Sequence, residues 1–451
     1  METAGNRLDV VAAVDDAPLG NLQLRVALLC AFVAMLDGFD TQSIAFVAPT
    51  LSELWSIEAG AFGPIFGAGL LGLMVGQLIL GPLADRIGRR PVILLCTAWF
   101  GAFALFTAFA GNWTTLLLLR FLTGVGLGGA MPNIIALTSE YSPAGKRSTM
   151  ITVMFGGFPF GAAVGGYISS RMIPAIGWES VFYLGGIAPL LLVIPLYFWL
   201  PDSVQNMVRS ARPREQIVSL LRKLDPGVAA DDSTELYVRE KPVRGFSLAA
   251  LFRDGLAPKT SLLWIAYFMS LLMIYFLMSW LPMILRLSGM PLDKAIIAAV
   301  ALNLGGMLGG ILLGTLLDRF NHFTVLAGGY FAAGACIACI GLSESLPVVL
   351  MAFVFAAGFA VIGGQTAMNA VASDIYPSRI RASGLGAALA VGRIGSIVGP
   401  VAGGILIGME MTTASLFAVG ALPTIVACLA ILSLKWIASS DTVSEPRPAT
   451  D

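Results

Sequence analysis

A single histidine, five cysteines and 12% charged residues are a poor toolkit for chemistry in a chain of 451 residues. His322 lies in a short loop, which excludes a central histidine relay and a histidine–metal cluster. The cysteines Cys30, Cys96, Cys336, Cys339 and Cys428 all fall in apolar stretches. Cys336-x-x-Cys339 has the spacing of a redox or zinc motif, but no second ligand pair lies near it, so these read as small buried residues. No Cys–His pair or serine nucleophile setting is present, so an enzyme is not expected. Lys+Arg and Asp+Glu both number 27, giving zero net charge. That leaves no basic face for nucleic acid. A disordered chain needs low hydrophobicity and high charge, and this one has neither. A secretory signal is not expected either. Residues 1–23 are polar and carry Glu2, Asp9, Asp15 and Asp16, so the first apolar stretch is expected to act as a signal anchor.

What the chain has is apolar surface. Hydrophobic residues make up 57% of it, and the mean hydropathy is +0.84. A soluble globule of this size could not hide so much, and a bilayer is the natural solvent. About 20 apolar residues cross the hydrocarbon core as a helix. Twelve stretches qualify, at 24–50, 62–84, 91–110, 115–139, 148–170, 179–200, 258–284, 293–317, 323–342, 346–371, 382–407 and 412–437. Twelve is even, so both termini face one side. Lys and Arg mark the cytoplasm. With the termini on that side, roughly 22 basic residues fall there and only Arg171, Arg286 and Lys294 fall outside. Arg120 and Arg393 fit neither side, because they lie within spans. The expected organisation is a cytoplasmic tail (1–23), a six-helix bundle (24–200), a cytoplasmic connector (201–257), a second bundle (258–437) and a second tail (438–451). The connector holds Pro213, Pro226 and Gly227, with a short amphipathic helix expected around Glu215–Leu224.

The halves repeat at an offset of about 234 residues. Gly81-x-Leu83-x-Asp85-Arg86 recurs as Gly314-x-Leu316-x-Asp318-Arg319. Ser139-Glu140, Pro143 and Arg147 recur as Ser373-Asp374, Pro377 and Arg381, and Gly161 with Val164-Gly165 recurs as Gly395 with Val398-Gly399. A duplicated six-helix unit is a transporter architecture, with a midplane site where the repeats meet. The glycine clusters, such as Gly124-x-Gly126-x-Gly128-Gly129, let helices approach closely. They lack the preceding strand and following lysine of a phosphate loop.

Gly81-Pro-Leu-Ala-Asp85-Arg86-Ile-Gly88-Arg89-Arg90 resembles the signature between spans 2 and 3 of the major facilitator superfamily. Arg120-x-x-x-Gly124-x-Gly126 resembles that superfamily's motif in span 4. The likeness runs from about residue 22 to 437. It implies an all-α integral membrane protein with twelve transmembrane helices in two pseudo-symmetric six-helix bundles, the major facilitator fold. Three further blocks narrow it. Asp37-Gly38-Phe39-Asp40 sits in span 1, Gly363-Gly364-Gln365-x-Ala367-Met368 in span 10, and Arg381-Ala-Ser-Gly384 leads to Gly392-Arg393-Ile-Gly395 in span 11. Together they resemble the aromatic acid:proton symporters, bacterial carriers of benzoates, hydroxybenzoates, protocatechuate and hydroxyphenylpropionates. Leu200-Pro201-Asp202-Ser203 is close to a Pro-Glu-Ser signature found there and in sugar porters, with Asp in place of Glu.

A charge at bilayer depth costs several kcal/mol unless paired or wet. Asp37 and Asp40 lie i, i+3 on one helical face. Two close carboxylates in low dielectric resist joint ionisation, which suits them to take up a proton. The resemblance puts spans 1 and 4 on a central cavity, so Asp40 and Arg120 are expected to pair and to part when proton or substrate arrives. Arg393 has no acid within its own span. Its planar fork matches a carboxylate, and a benzoate is ionised at pH 7, so Arg393 is the expected substrate anchor. Gln42, Asn133, Asn303, Gln365 and Asn369 are candidates to hydrogen-bond a ring hydroxyl. Phe39, Tyr275 and Trp280 are candidates to pack on the ring. By resemblance, Gly81, Asp85, Arg86, Gly88, Arg89, Arg90, Glu140, Arg147, Asp318, Arg319, Asp374 and Arg381 form a cytoplasmic gate. Acids at matching places in both halves favour a latch over mere topogenic charge.

The function expected is import of a small aromatic carboxylate, hydroxybenzoate-like, by proton symport through alternating access. The coupling ion is the proton, and no other cofactor or metal is expected. The expected setting is the bacterial inner membrane, multi-pass, both termini cytoplasmic, as a monomer. A proton-coupled exporter, a sugar-type porter or a transporter-like receptor for aromatic acids stays open.

Overall fold

The computed structural model describes residues 7–225, 227, 234–238, 248–253, 255–317, 319–376 and 380–444. The side chains of residues 248, 249, 366, 370, 373, 374, 382 and 438–444 are outside that description. Among the described residues, twelve helices are long and apolar enough to cross a membrane. In the first half they are Asn21–Trp55, Gly63–Ile87, Arg89–Thr107, Trp113–Tyr141, Arg147–Ile176 and Glu179–Trp199. In the second half they are Ala257–Leu287, Leu292–Leu317, His322–Leu342, Pro347–Ile375, Arg381–Gly408 and Thr413–Ser444. They are spans 1 to 12 below, and each falls on one of the twelve apolar stretches. Several run past the apolar limits, because a helix continues until its end groups find other partners. Asn112 and Asn321 supply such partners, accepting from the Thr115 and Thr324 amides to start spans 4 and 9. Span 9 therefore begins at His322 itself, where a loop was expected. Gly88, at φ +102°, breaks the chain between spans 2 and 3.

Glycine faces set the pairing of spans. Gly38 and Gly161 put span 1 and span 5 backbone to backbone, against the carbonyls of Phe158 and Met35. Gly395 and Gly399 do the same for spans 11 and 7, against those of Phe268 and Leu272. Gly72 and Gly124 join spans 2 and 4, and Gly305 and Gly358 join spans 8 and 10. Close approach of this kind replaces the hydrophobic drive that lipid cannot supply. The same pairings recur in both halves, as the sequence repeat requires.

The chain divides into two units. The first comprises Met1–Thr41, Ala68–Ala162 and Glu179–Arg244, and the second Gln42–Gly67, Ala163–Trp178 and Gly245–Asp451. In the first unit the N-terminal tail takes part in the fold. Strand β1 (Arg7–Asp9) pairs in parallel with β2 (Glu235–Tyr237) of the connector, and Arg7 Nε meets Glu235 at 2.7 Å. The tail helix Val10–Asp15 buries Val10 and Val14, and the connector helix Arg214–Leu224 buries Ile217, Leu221 and Leu224. These five join one apolar cluster with Val26, Val33, Ile134 and Leu137 of the spans. The amphipathic helix was expected; its docking beside the tail was not.

Candidate functional site

In the first unit, Asp37 and Asp40 are both 2% exposed, and Arg120 is 3% exposed. Arg120 Nη1 lies 3.4 Å from each oxygen of Asp40, longer than the roughly 2.7–2.9 Å of a tight charge-assisted bond. Arg120 Nη2 donates to Thr107 Oγ1 at 2.7 Å and to Thr123 Oγ1 at 3.1 Å. Each hydroxyl spends its own hydrogen on a backbone carbonyl, Thr107 on Phe103 and Thr123 on Leu119. Both therefore offer only oxygen to the guanidinium. The Phe182 ring lies 4.8 Å from the guanidinium carbon and adds a cation–π face. Arg120 thus keeps support when Asp40 is neutral, so the ion pair can open without stranding a bare cation. Asp37 shares the buried face of span 1 but has a different partner: Thr41 Oγ1 donates to its Oδ1 at 3.1 Å. Phe39 is buried beside Gly185. Asn133 donates from Nδ2 to Gly129 O at 2.7 Å.

In the second unit, Arg393 is half-buried in span 11, and its Nη1 donates to the Tyr275 hydroxyl at 3.1 Å. Among the described residues no carboxylate pairs with it. Gln365 Oε1 accepts from Ser270 Oγ, and Asn369 Oδ1 accepts from the Tyr267 hydroxyl, both at 2.7 Å. Gln365 is half-buried and Asn369 exposed. Asn303 Nδ2 donates to Gln42 Oε1 at 2.7 Å, and both residues are 1% exposed. Gln42 Nε2 is buried with no hydrogen-bond partner among the described residues. Trp280 is wholly buried: its Nε1 donates to Pro400 O at 2.8 Å, and Phe66 meets its ring edge-on at 4.9 Å. Its indole is thus committed to packing.

The residues grouped as a cytoplasmic gate separate into different partnerships. Arg89 Nε meets Glu140 Oε1 at 2.5 Å, and its Nη1 lies 3.6 Å from Asp85. Arg90 turns elsewhere. It donates to Tyr197 O, lies over the Tyr197 ring at 5.5 Å, and offers its amide to Asp202 Oδ1. Asp202 also accepts the Tyr141 hydroxyl on its carbonyl at 2.6 Å, and its carboxylate stands where a side chain on Gly88 would go. The Pro-Asp-Ser block therefore anchors the start of span 3, and only glycine fits at 88. Arg147 pairs with Asp15 of the N-terminal tail and donates to Ser139 O and Ser142 O. Its repeat partner Arg381 donates to Tyr376 O at 3.3 Å. Ser142 and Tyr376 correspond at the repeat offset, so each arginine caps the open carbonyl end of the span before it. Arg86 and Arg319 are exposed, and among the described residues nothing lies within 4 Å of where a side chain on Gly81 would stand. Asp318 lies outside the described residues, as does the Asp374 side chain.

Thr107, Thr123, Phe182, Ser270 and Tyr267 were not anticipated from the sequence. Thr123 carried a weak signal, three residues from Arg120 on one helical face. The others come from distant spans, and nothing local marks them.

The Major Facilitator Superfamily model matches residues 30–346 and 263–450. The chain belongs to that superfamily. A bacterial homologue of the human lysosomal transporter Spinster, solved inward-facing and unoccupied, shares the fold at a TM-score of 0.68 and 18% identity, covering 96% of this chain and 100% of that one. Among curated proteins, the chain is 37% identical to the 4-hydroxybenzoate transporter PcaK of Acinetobacter baylyi, over 97% of both chains. It is 40% identical to a gallate transporter of Pseudomonas putida, over 94% of this chain and 95% of that one. With these relatives it falls among the superfamily's aromatic acid transporters, and it is a multi-pass membrane protein rather than an enzyme.

Proposed function

We propose that this protein imports a small aromatic carboxylate, hydroxybenzoate-like, together with protons. Its setting in this reading is the bacterial inner membrane, as a monomer with both termini cytoplasmic. The observation that carries the reading is Arg393. It is a half-buried guanidinium within a span, held by one phenol and by no carboxylate among the described residues. An anionic substrate supplies the missing charge, and the fork of Arg matches a carboxylate in the plane of an aromatic acid. The relatives named for 4-hydroxybenzoate and gallate support the same substrate class.

Asp40 is the proton site in this reading. The loose pair with Arg120, backed by Thr107, Thr123 and Phe182, lets Asp40 lose its charge while Arg120 stays solvated by protein. Asp37, buried one turn earlier, is the second carboxylate of the relay. Arg89, Glu140 and Asp85 form the part of the cytoplasmic latch that breaks and remakes in each cycle. A monoanion moving with one proton is blind to membrane voltage. A second proton adds about 2.3 kcal/mol per 100 mV.

The test is uptake of labelled aromatic acids and hexoses by cells lacking their own carriers, with and without a protonophore. Accumulation of an aromatic acid that collapses with the protonophore is the expected result. Hexose entry, or net loss of preloaded acid, would overturn the reading.

A further inference from the structure

A chain of hydroxyls behind Gln365 fixes which end of its amide faces outward. Tyr330 and Ser270 are both fully buried. The Tyr330 hydroxyl donates to Ser270 Oγ at 2.6 Å, and Ser270 Oγ donates to Gln365 Oε1 at 2.7 Å. Ser270 is the one acceptor that the Tyr330 hydroxyl reaches among the described residues. A serine hydroxyl has a single hydrogen. With the Tyr330 hydrogen on the Ser270 oxygen, the Ser270 hydrogen is free to point at the Gln365 carbonyl, and Oε1 is the end that meets it. The Gln365 carbonyl thus faces inward, leaving the NH2 group as the outward end of a half-buried side chain. The reverse chain would strand the Tyr330 hydrogen in a dry interior, which buried polar groups avoid. One helical turn further along span 10, the buried Tyr267 hydroxyl likewise donates to the Asn369 carbonyl.

We propose that Tyr330 and Ser270 are positioning residues for substrate choice. They hold Gln365 as a hydrogen-bond donor, so the site takes an aromatic carboxylate whose ring carries an acceptor, as a hydroxyl oxygen does, over one whose ring substituent only donates. This rests on the reading of the protein as an aromatic acid carrier and adds how it discriminates among such acids. Span 9, from which Tyr330 reaches in, acts on the substrate only through span 7 and then span 10.

The probes are 4-hydroxybenzoate and 4-aminobenzoate, which are nearly the same size. The first has a good acceptor on the ring, and the second has a donor with a poor acceptor. Equilibrium binding to the purified full chain gives the ratio of their dissociation constants, and uptake is measured in parallel. One hydrogen bond gives the wild type about a five-fold preference for the hydroxy acid. Tyr330→Phe and Ser270→Ala free Gln365 to rotate, so the ratio falls towards one. Ser270→Thr restores the hydroxyl and with it the ratio. General damage weakens both acids alike and leaves the ratio unmoved. An unmoved ratio in Tyr330→Phe and Ser270→Ala, or a wild type that binds both acids equally, overturns the proposal. A wild type with the expected ratio but no uptake sinks the transport reading and leaves the selection device standing.

Discussion

Replacing Arg393 tests the substrate anchor most directly. Its guanidinium is bonded to Tyr275 and pairs with no described carboxylate. Arg393→Gln therefore leaves no orphaned anion behind, and the loss should fall on binding rather than on folding. A charge-assisted contact contributes about 1.5–3 kcal/mol, so the dissociation constant for a hydroxybenzoate should rise about 10- to 150-fold. Tyr275→Phe removes a single bond that orients the fork and should weaken binding about five-fold. In the double variant the Tyr275 effect should vanish, because the two residues act through one contact. Equilibrium binding of labelled acid to purified protein measures all three, with 4-hydroxybenzyl alcohol as a control that lacks the carboxylate. Affinity unchanged within two-fold in Arg393→Gln, or an equal loss for the alcohol, would refute Arg393 as the carboxylate's partner.

Three other substitutions probe different links. Asp40→Asn cannot exchange a proton, so protonophore-sensitive accumulation should fall to background while exchange across the membrane with preloaded substrate continues; persistent accumulation would move the proton elsewhere. Gly38→Ala drives a methyl group into the Phe158 backbone; overpacking of about 1–3 kcal/mol should lower the melting temperature, whereas Gly314→Ala, with nothing within 4 Å among the described residues, should not.

Some of the gate was read too simply from sequence. Matching acids and arginines in both halves suggested one set of residues with one task. Arg89 and Glu140 do meet, but Arg90 braces span 3 against the connector, and Arg147 holds the N-terminal tail. A repeated motif records duplicated backbone positions. Each side chain still takes the nearest partner its own copy offers.

The twelve spans, the repeat and the odd charges inside the membrane were determined by the sequence alone. The physical reason is that a bilayer imposes one-dimensional rules: an apolar length to cross it, and a high cost for any charge within it. Asp40, Arg120 and Arg393 stand out by that cost without any knowledge of neighbours. What they touch was decided only by tertiary structure. Thr107 and Phe182 reach Arg120 from spans 3 and 6, and Tyr330 governs Gln365 through Ser270 across spans 9, 7 and 10. The tail's strand finds its partner more than 220 residues away. Such contacts depend on the rotation and crossing of packed helices. Those are fixed where glycine faces let backbones meet, and no local pattern in the chain reports them.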